Sequence, residues 1–317
     1  MIIITVMRRF SQSLAAAVAL GAALLTAACS AGIAAGPSAS SGHAIVAVGA
    51  ENQYANVIQQ VGGKYVTTSA VMSNPNTDPH TFEASTSVAR AVSAAQLVVQ
   101  NGVGYDTFMN TIERAVPDAG RKVIDVQNLL GLPDSTPNPH LWYKPSTMPA
   151  VANAVAADLA SLQPAHASYF RANARTFIGS LAAWDQAVAA LKAEYPDTPV
   201  AVTEPVADYM LQAAGADIMT PFAFQADIMN GVDPSAQDVA LERSLFTQHK
   251  VKVFLYNQQV TDSLTESFIS LAQGSGVPVV GVYETMPTPG YTYQTWMLAE
   301  TNDLQQAVAH KKSAEKL

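Results

Sequence analysis

The chain has 317 residues, 49% of them hydrophobic and 13% charged, which excludes a disordered polymer and allows a large core that usually splits into two lobes. Its formal charge of −8 argues against nucleic acid and anionic lipid surfaces as partners and favours attraction of cations. No tract of about 18 or more apolar residues occurs, so no spanning helix is predicted.

The N-terminus reads as a targeting segment over residues 1–28. Arg8 and Arg9 precede the apolar run Leu14 to Ala28, while Ile2 to Val6 fit such a signal poorly and make Met7 a candidate start. Removing this segment takes away two arginines and no acid, which moves the charge from −8 to −10. The only cysteine, Cys29, closes Leu25-Thr26-Ala27-Ala28-Cys29, which resembles the lipobox of bacterial lipoproteins. That resemblance implies lipidation of Cys29, and ordinary signal cleavage nearby is the alternative. A single cysteine makes no internal disulfide. Residues 29–42, rich in Ser, Ala and Gly, read as a flexible tether.

From Ala44 the pattern becomes α/β. Ala44 to Gly49 reads as a buried strand, and Asn52 to Val61 as a helix ended by Gly62-Gly63. Tyr65 to Met72 is a second strand, Ser85 to Ala95 a helix, Leu97 to Gln100 a strand before the Asn101-Gly102 turn, and Lys122 to Val126 a strand. Phe170, Phe177, Leu181, Trp184, Val188 and Leu191 then form one apolar stripe, which predicts a helix over residues 166–194, roughly 43 Å long. Beyond it, Pro199 to Thr203 is a strand, Val206 to Ala214 a helix, Val251 to Tyr256 a strand, Thr261 to Gln273 a helix and Pro278 to Tyr283 a strand. Asp233 is expected to cap a segment opened by Pro234. The expected fold is two α/β lobes with mainly parallel sheets, 43–165 and 195–317, joined by one long rigid helix.

Two of the six histidines sit in matched contexts, Asp78-Pro79-His80-Thr81-Phe82 and Asn138-Pro139-His140-Leu141-Trp142. Each follows a proline, which keeps the chain out of helix, and imidazole is the commonest protein metal ligand. In open α/β sheets, ligands collect beyond the carboxyl ends of the strands. Glu204 and Glu284 directly follow predicted strands, and His80 and His140 lie in loops after strands. These four residues are the candidate metal ligands, and only the fold can bring such distant positions together. Asp78 is a candidate partner for an imidazole N–H. His43, His166, His249 and His310 read as surface residues.

Over Ala44 to Leu304 the chain resembles the metal-binding solute-binding proteins of bacterial ABC transporters, the cluster that includes zinc and manganese receptors. The resemblance is carried by Glu51-Asn52, Asp78-Pro79-His80-Thr81-Phe82-Glu83, Asn101-Gly102 with Tyr105, Asn138-Pro139-His140-Leu141-Trp142, Thr203-Glu204-Pro205-Val206 and Tyr283-Glu284-Thr285. It implies that His80 and His140 are ligands from the N-terminal lobe and that Glu204 is the third. Glu284 stands where many relatives use Asp. It also implies an extracytoplasmic, lipid-anchored monomer that captures a divalent ion and hands it to an ABC permease served by a separate ATPase subunit.

Two imidazoles and two carboxylates suit Zn²⁺ and Mn²⁺ about equally, with Fe²⁺ third. The His-rich acidic loop of many zinc receptors has no counterpart, since Gln127 to Asn138 is short and lacks histidine. No P-loop sequence GxxxxGK[ST] is present, so ATP hydrolysis is not expected of this chain. The rival reading is a metalloenzyme, a hydrolase or oxygenase using the same His/Glu cluster, although four protein donors leave little room for water or substrate. An adhesin and a receptor for a metal-free organic ligand are further alternatives. A non-enzymatic binding protein is the expectation.

Overall fold

A computed structural model of the chain describes residues 43–76 and 79–317. The predicted signal segment 1–28, the tether 29–42 with Cys29, and Asp78 lie outside the described residues.

Among the described residues eight strands form the framework: β1 (Ile45–Glu51), β2 (Val66–Met72), β3 (Leu97–Gln100), β4 (Lys122–Asp125), β5 (Pro199–Val202), β6 (Asp217–Ile218), β7 (Val253–Asn257) and β8 (Val279–Val282). The helices of the first half are α1 (Asn52–Gly62), α2 (Thr86–Ala94), α3 (Thr107–Ala115), α4 (Val126–Leu129), α5 (Thr147–Leu162) and α6 (Ala167–Ser180). The second half carries α7 (Ala182–Glu194), α8 (Asp208–Ala213), α9 (Phe222–Met229), α10 (Ala236–Thr247), α11 (Ser263–Gly274) and α12 (Tyr293–His310).

The strands make two four-stranded parallel sheets of the same topology, β2-β1-β3-β4 and β6-β5-β7-β8. Each is an α/β layer, as the alternation of apolar runs and amphipathic segments requires. The predicted connecting helix exists as α6 followed directly by α7, with Leu181 as a single non-helical residue between them. Its stripe is buried throughout, from Phe170 and Phe177 through Trp184 to Leu191.

One apolar cluster runs through both halves, from Ile45 and Leu97 past Trp142, Trp184 and Trp296 to Val280. Two smaller clusters cover the outer faces of the sheets, one around Val98 and Met109 and one around Phe246 and Phe254. The continuous inner core ties the first sheet to the second through α1, α5, α6, α7 and α12. A fused apolar layer of this kind resists wide opening, because any large rotation exposes it to water.

Two local expectations are corrected. Asp233 and Pro234 do not open α10: the N-cap is Ser235, whose hydroxyl accepts from the Asp238 N–H, so Pro234 lies just outside the helix. His166 is not a plain surface residue, since its ring stacks on Tyr65 at 3.7 Å between centroids.

At the end of β1 the chain turns straight into α1 and the backbone approaches itself closely. A Cβ on Gly49 would press against the backbone of Ala55 and lie 2.8 Å from the Glu51 carbonyl oxygen. Gly49→Ala should therefore lower stability by about 1–3 kcal/mol, read as a reduced urea midpoint with an unchanged slope.

Candidate metal centre

The carboxyl ends of both sheets point to one place. Glu51 ends β1, His80 follows β2, Tyr105 follows β3 and His140 follows β4, while Glu204, Asn257 and Glu284 stand at or just after the ends of β5, β7 and β8. The crevice rule for open α/β sheets therefore acts from two sides at once.

His80 sits in a short 3-10 turn, Pro79–Thr81, anchored by Phe82 packing on Phe108 of α3. His140 is held more tightly. The Asn138 side-chain oxygen accepts from both the His140 backbone N–H (2.9 Å) and ring Nδ1 (2.8 Å), while its amide nitrogen donates to the Pro205 carbonyl at 2.7 Å. The Pro205 contact sets the orientation of the Asn138 amide, and the oxygen it turns to the ring assigns the proton to Nδ1. His140 Nε2 is left with a lone pair directed into the centre.

Glu284 occupies that centre with no solvent exposure. Its Oε2 lies 3.2 Å from His140 Nε2 and 3.3 Å from His80 Nε2, and it accepts from the Tyr105 hydroxyl at 2.8 Å. Its Oε1 accepts from Asn257 Nδ2 at 2.5 Å. Gln259 accepts from the Glu284 and Thr285 N–H groups, both at 2.7 Å, which fixes the turn after β8. Glu204 is the outer member: its Oε2 is 3.9 Å from His80 Nε2, and its Oε1 accepts from the same Asn257 amide at 3.2 Å.

The donor atoms of His80, His140 and Glu284 all lie within 4.8 Å of one another. Tetrahedral bonds of about 2.0–2.1 Å imply donor-to-donor edges of about 3.3 Å, which is the spacing of both Glu284–imidazole contacts. Three of the four predicted donors thus form a set that fits a small cation, and Glu204 is placed beside it. The His80 side chain is 23% exposed while those of Glu204, His140 and Glu284 are enclosed. A cleft of about 390 Å³ reaches His80 between Gly104 and Tyr105 on one side and Ile228, Asn230 and Val260 on the other.

Burial lowers the His140 pKa, with Glu284 opposing, so the imidazole is held neutral. Burial raises the Glu284 carboxyl, but in the acid range where it titrates His140 and His80 carry protons, and their hydrogen bonds and charge outweigh burial and hold the group below the usual carboxylate range. Neutral imidazole and ionised carboxylate are the forms that bind metal.

Asn257 and Gln259 carry neither imidazole nor carboxylate and leave no mark in the sequence as site residues, although Asn257 ends a strand on the same rim, and Tyr105 is marked by the resemblance alone, with no role attached. Two amides of α1 reach the second half: Asn52, which the resemblance marks without a role, and Gln53, which nothing in the sequence marks. Asn52 exchanges two hydrogen bonds with the Met286 backbone (2.8 and 3.0 Å), and Gln53 donates to the Glu284 carbonyl.

The structure has the fold of two-lobed periplasmic metal-binding proteins. It is similar to the periplasmic zinc binding protein TroA from Treponema pallidum (TM-score 0.71, 19% identity, covering 86% of this chain and 100% of that one). It is also similar to the solute-binding protein FpvC from Pseudomonas aeruginosa in complex with Mn²⁺ (TM-score 0.69, 20% identity, covering 85% and 99%). In sequence it is 24% identical over 132 residues to the manganese-binding lipoprotein MntA of Bacillus subtilis (strain 168), a stretch that covers 40% of this chain and 43% of that relative. The chain belongs to the family described as zinc-uptake complex component A, periplasmic, which matches residues 48–307. That membership makes it a solute-binding transport protein and not an enzyme. Among the described residues no helix is long and apolar enough to cross a membrane.

Several acids around this frame are buried. Burial, countered in part by the Asn101 and Gly102 N–H groups, raises Asp106 to about 6, and burial raises Asp208 to about 7. Burial likewise raises Glu242 and Glu300 to about 8, against hydrogen bonds from Thr220 and from Tyr143 and Trp296 respectively. In each case the folded state binds a proton that the unfolded chain releases near pH 4, so stability drains away as pH rises from there to the folded pKa. His140 acts with the opposite sign just below its ordinary pKa of 6.5, and Glu284 does so below 4.5. The four acids outnumber His140 in the range they share. The metal-free protein should melt at a lower temperature at about pH 8 than at about pH 5, measured by calorimetry in chelator.

Proposed function

We propose that this chain is the extracytoplasmic solute-binding component of an ABC importer, capturing Zn²⁺ or Mn²⁺ between its two lobes and delivering it to a membrane permease. The observation that carries this reading is the contact of one Glu284 oxygen with His80 and His140 at 3.3 and 3.2 Å. Glu284 comes from the second half of the chain and the histidines from the first, so an ion held by all three bridges lobes 43–165 and 195–317. Glu204 completes the set by a small shift toward His80. Two nitrogen and two oxygen donors accept either metal, and Fe²⁺ follows on the same chemistry. The names of the relatives lean both ways, with zinc in the family description and in TroA, and manganese in MntA and in the FpvC complex.

In the cell the protein works with a permease and a separate ATPase subunit, and it acts as a monomer. Residues 1–28 direct export, and Cys29 carries a lipid anchor at the end of the 29–42 tether, in keeping with the lipoprotein nature of MntA. The metal sits deep, on a scaffold whose inner core is continuous. Uptake and release therefore use a small rearrangement around His80, the ligand nearest the cleft, and not a wide hinge motion.

Titration calorimetry with Zn²⁺ and with Mn²⁺ tests the ligand set. His140→Ala should weaken both by at least about 100-fold, and wild-type affinity should fall between about pH 7 and pH 5 as the imidazoles take up protons. Equal affinity at both pH values would remove histidine ligation from the account.

A further inference from the structure

Behind the ligands lies a second polar cluster that none of them belongs to, at the seam between the two halves. Tyr143 is three residues after His140 in the same short turn, and its N–H donates to the His140 carbonyl at 3.1 Å. Tyr283 immediately precedes Glu284. Glu300 projects from α12 with 1% exposure and meets both. Its Oε2 is 2.5 Å from the Tyr143 hydroxyl oxygen, and its Oε1 accepts from the Trp296 indole at 2.7 Å and from the Tyr283 N–H at 3.2 Å. The Tyr143 hydroxyl oxygen is also 2.8 Å from the Tyr283 carbonyl oxygen.

A hydrogen count decides the protonation of this cluster. Tyr143 has one hydroxyl hydrogen, and two oxygens stand within bonding distance of it. The Tyr283 carbonyl can only accept. If Glu300 were a carboxylate it would also only accept, and one of the two short contacts would join oxygens with no hydrogen between them. A neutral Glu300 resolves the conflict: its own O–H donates to Tyr143, and Tyr143 donates to the carbonyl. Each of the two short oxygen–oxygen contacts then has one hydrogen, and the Tyr283 N–H divides between Glu300 Oε1 and the Tyr143 oxygen, which it meets at 3.3 Å.

We infer that Glu300 is a positioning residue for the metal centre, a neutral carboxyl strut that sets the spacing between the His140 turn and the Glu284 turn. The inference rests on the proposed metal site and deepens it, because a gap of 3.2 Å between His140 and Glu284 is useful only if it is held. Burial in the apolar seam agrees with the neutral form by raising the acid's pKa to about 8, against the hydrogen bonds from Tyr143 and Trp296. The same helix grips the His140 turn a second time, where the Tyr293 hydroxyl donates to the Trp142 carbonyl at 2.6 Å. Glu300 touches no metal donor and acts through Tyr143 and Tyr283 alone.

The test is the rate at which the full chain, loaded with Zn²⁺, loses the ion to an excess of chelator, compared across variants. Glu300→Gln supplies an N–H where the acid supplies its O–H and keeps an oxygen for Trp296 and Tyr283, so its release rate should stay within about twofold of wild type. Tyr143→Phe removes the shared hydroxyl with little change of volume and should speed release about tenfold, the equivalent of one net hydrogen bond. Glu300→Ala should do at least as much. If that variant fails to fold, the comparison of Gln with the Phe variant still decides the matter. Release from Glu300→Gln as fast as from Tyr143→Phe would show that the negative charge is needed and overturn the neutral strut. Wild-type release from Tyr143→Phe would overturn the positioning role. A wild-type protein that binds no Zn²⁺ would instead overturn the metal-site reading on which the strut depends.

Discussion

Glu284 is a carboxylate with no solvent exposure, set at the end of a strand whose residues are all buried. An ionised group removed from water needs several strong partners or it becomes protonated. Here the partners are an amide, a phenol and two imidazoles, and among the described residues no lysine or arginine is paired with it. The arrangement supplies hydrogen-bond donors but no permanent positive charge. A protonated imidazole can fill the gap in acid, and under the proposed function a divalent cation would fill it at neutral pH. The rest of the structure can be understood as the means of keeping this carboxylate in place with that gap open.

Two features keep it there. The paired sheets share one strand order, so their carboxyl ends present loops to a common centre without any loop having to travel far. The inner core then fuses the halves through three tryptophans and the helices α6, α7 and α12, which limits how far the loops can part. Polar ties cross the seam next to the centre: Asn52 and Gln53 hold the backbone around Glu284 and Met286 from α1, and Asn138 reaches the Pro205 carbonyl beside Glu204. Each tie joins a residue of the first half to the chain segment that carries a donor in the second. Their combined effect is a set of donors already held in place, which would lower the cost of ordering on binding an ion.

Much of this was legible because the signals were local. Buried parallel strands appear as short apolar runs, and the strand Leu97 to Gln100 was recovered with its boundaries. The stripe from Phe170 to Leu191 announced the long helical connection, although the break at Leu181 leaves no mark in that periodicity. The opposite case is α5. Its sequence from Met148 to Leu162 is apolar on several sides, so no period stood out, and burial between other elements explains why. The two-residue strand β6 is too short to carry any pattern.

The candidate donors were found by a topological rule, that side chains just past strand ends face the crevice, and not by a local motif. The rule placed His80, His140 and Glu284 together and set Glu204 beside them. Asn257 obeys the same rule with an amide in place of a metal-binding side chain, and Glu300 lies outside the rule altogether, 16 residues beyond Glu284 on a helix behind the centre. Contacts such as these depend on how the halves dock, and docking is written in three dimensions.

X-ray absorption at the metal edge of the Zn²⁺-loaded full chain measures the nearest donors directly. Scattering from two imidazole rings together with carboxylate oxygens at about 2.0–2.1 Å is the expected spectrum. A shell of water oxygens alone, with no imidazole signature, would contradict an ion held between His80, His140 and Glu284.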